Sequence, residues 1–378
     1  MADREPSIIA EIAPSVGSIS ASEWDALAGP EPFTSHAFLS ALEESGSVGQ
    51  GTGWTPAPIR VVDDGRTVAA APAYLKSHSQ GEYVFDHGWA EAWESAGGRY
   101  YPKLLIAVPF TPVPGPRLLG MRPNELLAAI EAVTVQAELS SAHVNFLLGE
   151  DARCCAERGW LLRDGIQYHW FNRDYARFDD FLAALSSRKR KAIRRERKEA
   201  CQGLEIEALR GADIGAAEWE AMWAFYQDTG ARKWGRPYLT RAFFDRIAQT
   251  MADRLLLFLA RRDGVPIAGA LNVIGENALY GRYWGCLAEV PFLHFELSYY
   301  RAIEFAIHHG LSSVQAGAQG EHKIARGYEP VITQSAHFIP NPGFRSAIED
   351  FLVRERAAVA GEIDWLRSAL PYRSSAAE

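Results

Sequence analysis

The residues best suited to chemistry lie in one short segment of the last third of the sequence. Residues 317–323 read GAQGEHK and end in an acid, an imidazole and an ammonium group, Glu321, His322 and Lys323. The two glycines let the backbone approach a ligand closely, and an imidazole changes charge near neutral pH. The pattern favours proton transfer beside a bound anion, and a solvated turn is the alternative interpretation.

A predicted helix over residues 294–309 precedes this segment and carries further candidates. Its apolar residues recur at helical spacing, and Gly310 follows as a C-terminal cap. Glu296 and Tyr300 fall at the rim of the apolar face, one turn apart, where a carboxylate is partly desolvated and the phenol could reach it. Glu296 is therefore a candidate base, with a half-exposed surface glutamate as the alternative.

The order of predicted elements recurs along the chain. A hairpin at 59–76 and a strand at 83–89 are followed, roughly 200 residues later, by a hairpin at 257–274 and a strand at 279–285. Each copy reads as helix, helix, hairpin, strand, helix, strand, which is an α+β arrangement of helices covering a mixed sheet.

This repeat predicts four parts. We expect a first domain at 1–150, a connector with a basic helix at 151–200, a second domain at 201–340 and a C-terminal helix at 341–378.

The connector contains the most basic stretch of the sequence. Between residues 188 and 198, Glu196 is the only acid. A solvated face is the ordinary interpretation of such a run, and recognition of phosphates is the functional one. The candidates for steering a phosphate-bearing donor are Arg188, Lys191, Arg194 and Arg195.

A proline-rich insertion at 100–119 predicts an extended, stiff loop in the first domain. Tyr101 and Lys103 at its start are candidates for one wall of a cleft.

Composition restricts the class of protein. The net charge of −8 argues against a general nucleic-acid binder but leaves room for a local basic patch. The cysteines lack paired metal-ligand spacing, so we predict no metal site. No apolar stretch approaches the roughly 20 residues of a membrane span. We therefore expect a soluble, cytoplasmic protein and leave peripheral membrane contact open.

Four segments together resemble a known family. They are RKRKAIRRER, PFTPVPGPR, HFELSYYRAIEFAIHHG and GAQGEHKIARGYEP. They resemble the FemAB-like branch of the GNAT acyltransferase superfamily, whose bacterial members are often labelled peptidoglycan biosynthesis or recognition proteins. The resemblance spans nearly the whole chain and implies an α+β fold of tandem GNAT-like domains, with mixed sheets covered by helices.

The resemblance also implies transfer of an acyl or aminoacyl group to an amine of a cell-envelope, small-molecule or lipid-linked acceptor. It implies no tightly bound cofactor, with aminoacyl-tRNA, acyl-CoA or an acyl carrier protein as the co-substrate. The chain departs from acetyl-CoA-using members at 287–293, where the phosphate-binding turn has no glycine and contains Pro291. Because Pro291 has no amide hydrogen, this turn suits a CoA pyrophosphate poorly.

Such a transfer needs a base, hydrogen-bond donors for the developing oxyanion and an anchor for the anionic donor. The base candidates are Glu296, Glu321 and His322, and the anion partners are Lys323 and Arg326. The candidates for lining the acceptor cleft are Tyr283, Trp284, Tyr300 and Gln319. A recognition module that binds a peptidoglycan-type or lipid-linked amine without modifying it is the main alternative, and nucleic-acid binding by the basic helix is the third.

Overall fold

The computed structural model of the protein describes residues 8–233, 237–317 and 320–373, and for residues 231–233 and 321 it describes the backbone alone. The strands are β1 Ile9–Ile12, β2 Trp54–Pro56, β3 Ile59–Asp63, β4 Arg66–Ala71, β5 Ala73–Lys76, β6 Lys103–Ile106, β7 Leu119–Gly120, β8 Ala142–Leu147, β9 Leu161–Phe171, β10 Glu205–Arg210, β11 Leu255–Arg262, β12 Val265–Ile274, β13 Ala278–Cys286, β14 Ser313–Gln315 and β15 Glu329–Phe338. The helices are α1 Ala21–Ala28, α2 His36–Glu44, α3 His87–Ser95, α4 Pro123–Gln136, α5 Gly149–Glu157, α6 Phe178–Ala184, α7 Ser187–Ala200, α8 Ala216–Lys233, α9 Arg241–Thr250, α10 Leu293–Phe295, α11 Arg301–His308 and α12 Pro342–Ser368.

The chain divides into two compact units that do not follow the predicted boundaries. Unit 1 comprises Met1–Gly165, Tyr238–Phe243 and Ile332–Ala360. Unit 2 comprises Ile166–Pro237, Phe244–Val331 and Gly361–Glu378. The basic helix α7 therefore belongs to unit 2, and most of the predicted C-terminal helix belongs to unit 1.

Unit 1 is built on two sets of strands. One has the order β1-β3-β4-β7, and the other has the order β15-β8-β6-β5-β2. The β3–β4 hairpin forms as predicted because Asp64 and Gly65 both adopt positive φ, at 46° and 77°, as a tight two-residue turn requires. Helix α4 packs on β3 and buries Leu126 and Ile130 in an apolar core.

Unit 2 contains strands in the order β10-β11-β12-β13-β14-β9. The predicted second hairpin is confirmed as β11–β12, with Asp263 and Gly264 at φ 51° and 75°. Strands β13 and β14 pair in parallel, and the helical crossover between them consists of α10, a π-helical turn at Glu296–Tyr300 and α11. This crossover buries Leu297, Ile303 and Ala306 against the sheet.

Several sequence predictions were wrong in detail. The predicted strand at 83–89 is absent from the described residues, because α3 begins at His87 and buries Trp89 and Ala90 on one helical face. The insertion at 100–119 contains strand β6 in addition to extended loop. The connector contains the predicted basic helix as α7, and Leu185, extended at ψ 157°, separates it from the preceding helix α6.

Candidate functional site

A cleft opens in unit 2 where β13 and β14 stop pairing. Backbone pairing ends at Tyr280 and Gln315, although β13 continues to Cys286. The cleft beyond this point has a volume of about 100 Å³. Its lining includes Asn272, Gly281, Arg282, Tyr283, Trp284, His294, Ser298, Tyr299 and Gly317. The predicted cleft residues Tyr283 and Trp284 therefore lie in one cavity with polar side chains.

Lys323 lies beside this cleft in a short 3-10 helix, Glu321–Arg326. Its Nζ donates a hydrogen bond of 2.7 Å to the carbonyl oxygen of Gly317, which lines the cleft. The residue is 1% exposed. Burial lowers the pKa of Lys323 to about 7, and no carboxylate pairs with it among the side chains that the structure describes. Its amine can therefore exchange a proton near neutral pH.

Arg326 is held by contacts within the protein. Its Nη2 lies 3.0 Å from Glu196 Oε2, its Nη1 donates to the carbonyl oxygen of His322 at 2.9 Å, and its guanidinium lies 3.4 Å from the centre of the Phe295 ring. The Tyr300 hydroxyl donates to the same Glu196. Arg326 and Tyr300 therefore fix α7 against the crossover helix.

Glu296 is placed differently from the sequence prediction. It is 0% exposed, and its Oε1 lies 2.9 Å from both Arg197 and Arg301. The predicted approach of Tyr300 to Glu296 is wrong, because Tyr300 binds Glu196 instead. The reason is the π-helical turn at Glu296–Tyr300, which adds a residue to the turn and rotates both side chains from the rim into the core.

His322 is exposed and contacts aromatic side chains of the crossover. A hydrogen bond of 2.9 Å joins its Nε2 to the Tyr299 hydroxyl. Burial raises the pKa of Tyr299, so the phenol stays protonated at physiological pH and can donate this bond. The side chain of Glu321 and the whole of Gln319, both predicted site residues, lie outside the described part of the chain.

Helix α7 has two faces of different character. Ile193 and Ala200 are buried, and Glu196 and Arg197 on the same face form the ion pairs with Arg326 and Glu296. The four predicted donor-steering residues, Arg188, Lys191, Arg194 and Arg195, are all exposed. Arg194 also forms an ion pair of 3.0 Å with Asp179.

The remaining predicted residues, Tyr101 and Lys103, belong to unit 1. Lys103 is 0% exposed and its Nζ contacts Glu82 Oε2 at 2.8 Å and also Asp86 Oδ2. The Tyr101 hydroxyl lies 2.8 Å from Ser79 Oγ, which in turn accepts a hydrogen bond from Lys103. These contacts form a buried ionic network in place of the cleft wall that the sequence suggested.

Sequence reasoning missed Asn272, Ser298, His294 and Tyr299 as cleft residues. Asn272 had a detectable signal, since it is a polar residue within the apolar strand IAGALNVI. The other three read as ordinary helix positions, and only the crossover geometry brings them to the cavity.

The family pattern of the FemAB-like proteins, described as peptidoglycan biosynthesis/recognition, matches residues 15–374. The chain belongs to the FemAB-like family. This membership confirms the resemblance seen in the sequence and connects the chain with the cell envelope at the level of the family. No curated protein sequence matches the chain significantly.

Comparison with solved structures confirms the predicted α+β fold. FemX superposes with a TM-score of 0.53 at 15% identity, covering 88% of this FemAB-like chain and 98% of FemX. A conserved protein of unknown function from Bacteroides thetaiotaomicron has a TM-score of 0.51 at 11% identity, covering 88% of this chain and 99% of its own. At these identities the similarity is one of fold.

Two kinds of feature are absent from the described residues. In residues 8–233, 237–317 and 320–373, no helix is long and apolar enough to cross a bilayer. The same residues contain no cluster of three or more histidine, cysteine, aspartate or glutamate side chains arranged to hold a metal ion.

Proposed function

We propose that this FemAB-like protein transfers an acyl or aminoacyl group from an activated ester or thioester to a primary amine of a cell-envelope or lipid-linked acceptor. Family membership supports a cell-envelope role. The observation that carries the proposal is the buried Lys323 amine, bound to Gly317 at the edge of the unit 2 cleft. A titratable amine beside a small cavity suits a reaction that removes a proton from a nitrogen nucleophile.

The chemistry has one proton to move. The acceptor nitrogen attacks the donor carbonyl carbon, a C–N bond forms, and the C–O or C–S bond to the leaving group breaks. The nitrogen must lose a proton during this step. Neutral Lys323 accepts it and then returns it to the departing oxygen or sulfur, so Lys323 ends the cycle as it began.

This assignment changes the roles expected from the sequence. Lys323 was an anion partner in the sequence interpretation, and its burial makes it a better proton acceptor. Glu296 is not accessible to a substrate, because two guanidinium groups bind its carboxylate and it has no exposed surface. His322 remains a candidate for contact with the acceptor, through its bond to Tyr299 at the cleft.

The donor is proposed to carry several phosphates. The exposed cations of α7 form a surface suited to a polyanion. The turn before α10 remains unsuited to a CoA pyrophosphate, because Pro291 has no amide hydrogen to donate. These two features favour aminoacyl-tRNA over acyl-CoA, with an acyl carrier protein as the second choice.

Two substitutions at Lys323 test the proposal. Purified full-length protein is supplied with charged tRNA, acyl-CoA or acyl carrier protein and with peptidoglycan precursors or lipid-linked amines. Lys323→Met and Lys323→Arg should both lower kcat by a hundredfold or more, since neither can accept a proton at neutral pH. The wild-type kcat/KM should rise with pH through about 7. Arg262→Met, which removes an exposed cation of the same unit outside α7 and the cleft, is the matched control.

The outcomes separate the alternatives. Full activity of Lys323→Arg would show that the residue acts by its charge, as an oxyanion partner. Binding of an amine or donor without any transfer by the wild type would favour the recognition module.

A further inference from the structure

The unit 2 cleft contains a buried polar atom that forms no hydrogen bond with the part of the chain that the structure describes. Asn272 is 1% exposed and lines the cleft. Its Oδ1 is buried and has no hydrogen-bond partner among the described residues. A buried acceptor without a partner is costly to a protein, and a ligand in the cleft that brings a donor would remove this cost.

The orientation of the Asn272 side-chain amide is fixed by the hydrogen bonds that its nitrogen, Nδ2, donates. Nδ2 donates to the carbonyl oxygen of Ala270 at 3.0 Å and to that of Leu256 at 3.4 Å. Both bonds require the nitrogen in this position, so the free atom is the oxygen. The register of β12 with β13 shifts between Leu271 and Asn272, and such bulges redirect side chains beside functional sites.

Neighbouring residues keep the space beside this oxygen open. A Cβ added to Gly281 would lie 3.5 Å from Asn272 Oδ1 and 3.4 Å from the Cα of Ala316. The Oγ of Ser298, in the π-helical turn, lines the same cleft and is also buried without a partner among the described residues. Two unsatisfied polar atoms therefore border one small cavity.

We infer that Asn272 positions the attacking amine of the acceptor, with Oδ1 accepting one of its N–H groups. This inference rests on the proposed function and adds the residue that selects the acceptor. Oδ1 can only accept, so its ligand must bring a donor, as an amine does. The rings of Tyr283, Trp284 and Tyr299 enclose the carbon next to the nitrogen. Arg282, also in the lining, disfavours a permanent cation and so favours the neutral, nucleophilic form of the amine.

Binding of a matched pair of small molecules tests the inference on the full-length protein. The probes are O-propylhydroxylamine and methyl propyl ether, which are both uncharged at neutral pH, have equal numbers of heavy atoms and differ only in an amino group in place of a methyl group. By ligand-observed NMR, the wild type should bind the hydroxylamine about fivefold more tightly, as expected for one neutral hydrogen bond. Asn272→Leu should remove this preference. Gly281→Ala should also remove it, because its Cβ covers the oxygen at ordinary contact distance.

The control is Asn145→Leu, which replaces a buried asparagine of unit 1 and should retain the preference. Equal binding of the two probes by the wild type, no binding of the hydroxylamine, or an undiminished preference in Asn272→Leu would each overturn the inference. In the transfer assay, Asn272→Leu should raise the KM for the acceptor while leaving the KM for the donor unchanged. An unchanged acceptor KM would refute this inference alone, whereas absence of transfer by the wild type would refute the proposed function.

Discussion

Of the three buried lysines among the described residues, Lys103 in unit 1 and Lys323 in unit 2 meet opposite electrostatic conditions. Lys103 in unit 1 is 0% exposed and contacts the carboxylates of Glu82 and Asp86. Burial lowers the pKa of Lys103, but attraction by Glu82 and Asp86 outweighs burial, and the pKa rises above its ordinary value. Lys323 in unit 2 is 1% exposed, and burial alone lowers its pKa to about 7.

The difference shows why burial by itself does not identify a functional lysine. A buried ammonium group that contacts two carboxylates, as Lys103 does, stays ionised and stabilises the fold. A buried ammonium group without a paired carboxylate loses its proton more readily. The carboxylates around Lys103 show the same coupling. Burial raises the pKa of Glu82 to about 7, whereas Lys103 and His143 oppose burial at Asp86 and hold its pKa below the ordinary value.

Replacement of Lys103 should have the largest effect on stability. Lys103→Met leaves the Glu82 and Asp86 carboxylates buried without their main cation, and the free energy of unfolding should fall by about 3–5 kcal/mol. Urea denaturation followed by circular dichroism measures this. At pH 7, Lys323→Met removes a desolvated amine that pairs with no carboxylate among the described side chains, and it should change the same quantity by less than about 1.5 kcal/mol. Equal losses of unfolding free energy in the two variants would contradict the proposed difference between the two lysines.

Glu296 extends the comparison to a buried carboxylate. Glu296→Gln weakens the contacts to Arg197 and Arg301, each 2.9 Å long, and should lower the free energy of unfolding by about 1.5–3 kcal/mol. Transfer activity per folded molecule should remain within a few-fold of the wild type. A stable Glu296→Gln protein with a hundredfold lower kcat would instead restore Glu296 as the base.

The pH dependence of stability should distinguish Lys323 from an ordinary lysine. The pKa of Lys323 is about 7 in the folded protein, whereas in the unfolded chain it takes the ordinary lysine value of 10.5. Between these two pH values the unfolded chain therefore binds more protons than the folded one. The wild type should therefore gain stability over Lys323→Met as pH rises from 7 to 10, by up to about 1.4 kcal/mol per pH unit. Below pH 7 the difference should be constant. Denaturation curves at pH 6, 7, 8 and 9 measure it, and a flat difference would contradict the lowered pKa.

The exposed face of α7 should contribute least to stability and most to salt dependence. The Arg194–Asp179 pair has side chains that are 58% and 68% exposed, so Arg194→Gln should change the free energy of unfolding by less than about 0.5 kcal/mol. The same change should reduce the slope of log Kd against log salt for charged tRNA by about 1 if Arg194 contacts a phosphate. Arg153→Gln, an exposed arginine of unit 1, is the control. An unchanged slope in Arg194→Gln would remove this residue from the donor surface.

The sequence predicted the fold better than the site. Both hairpins could be predicted from the sequence, because Asp-Gly between two stretches of alternating apolar residues strongly favours a two-residue hairpin turn. The crossover helix and the helix α4 followed from spacing, a proline start and a glycine end. The segment at 83–89 was misread because its aromatic residues suit a strand as well as the helix they form.

The roles of the site residues were harder to predict from the sequence, because the chemistry of each depends on which side chains lie nearby. Composition identified Lys323, but its burial and its lack of a carboxylate partner among the described side chains are properties of the folded chain. The burial of Glu296 was not predicted from the sequence. Glu296 lies in a π-helical turn of five residues, and a regular 3.6-residue spacing does not indicate such a turn. Asn272 belongs to no motif, and although it is a polar residue in an apolar strand, only its buried oxygen without a partner among the described residues points to a role.

The central claim is that Lys323 is neutral for much of the time near physiological pH, and direct titration tests it. The sequence contains few lysines, so their signals can be followed in protein carrying ¹³C-labelled lysine, and Lys323→Arg identifies the signal of Lys323 by its absence. We expect this side chain to titrate with a midpoint near pH 7. A midpoint at or above pH 10 would mean a permanently charged lysine and would contradict its role as proton acceptor.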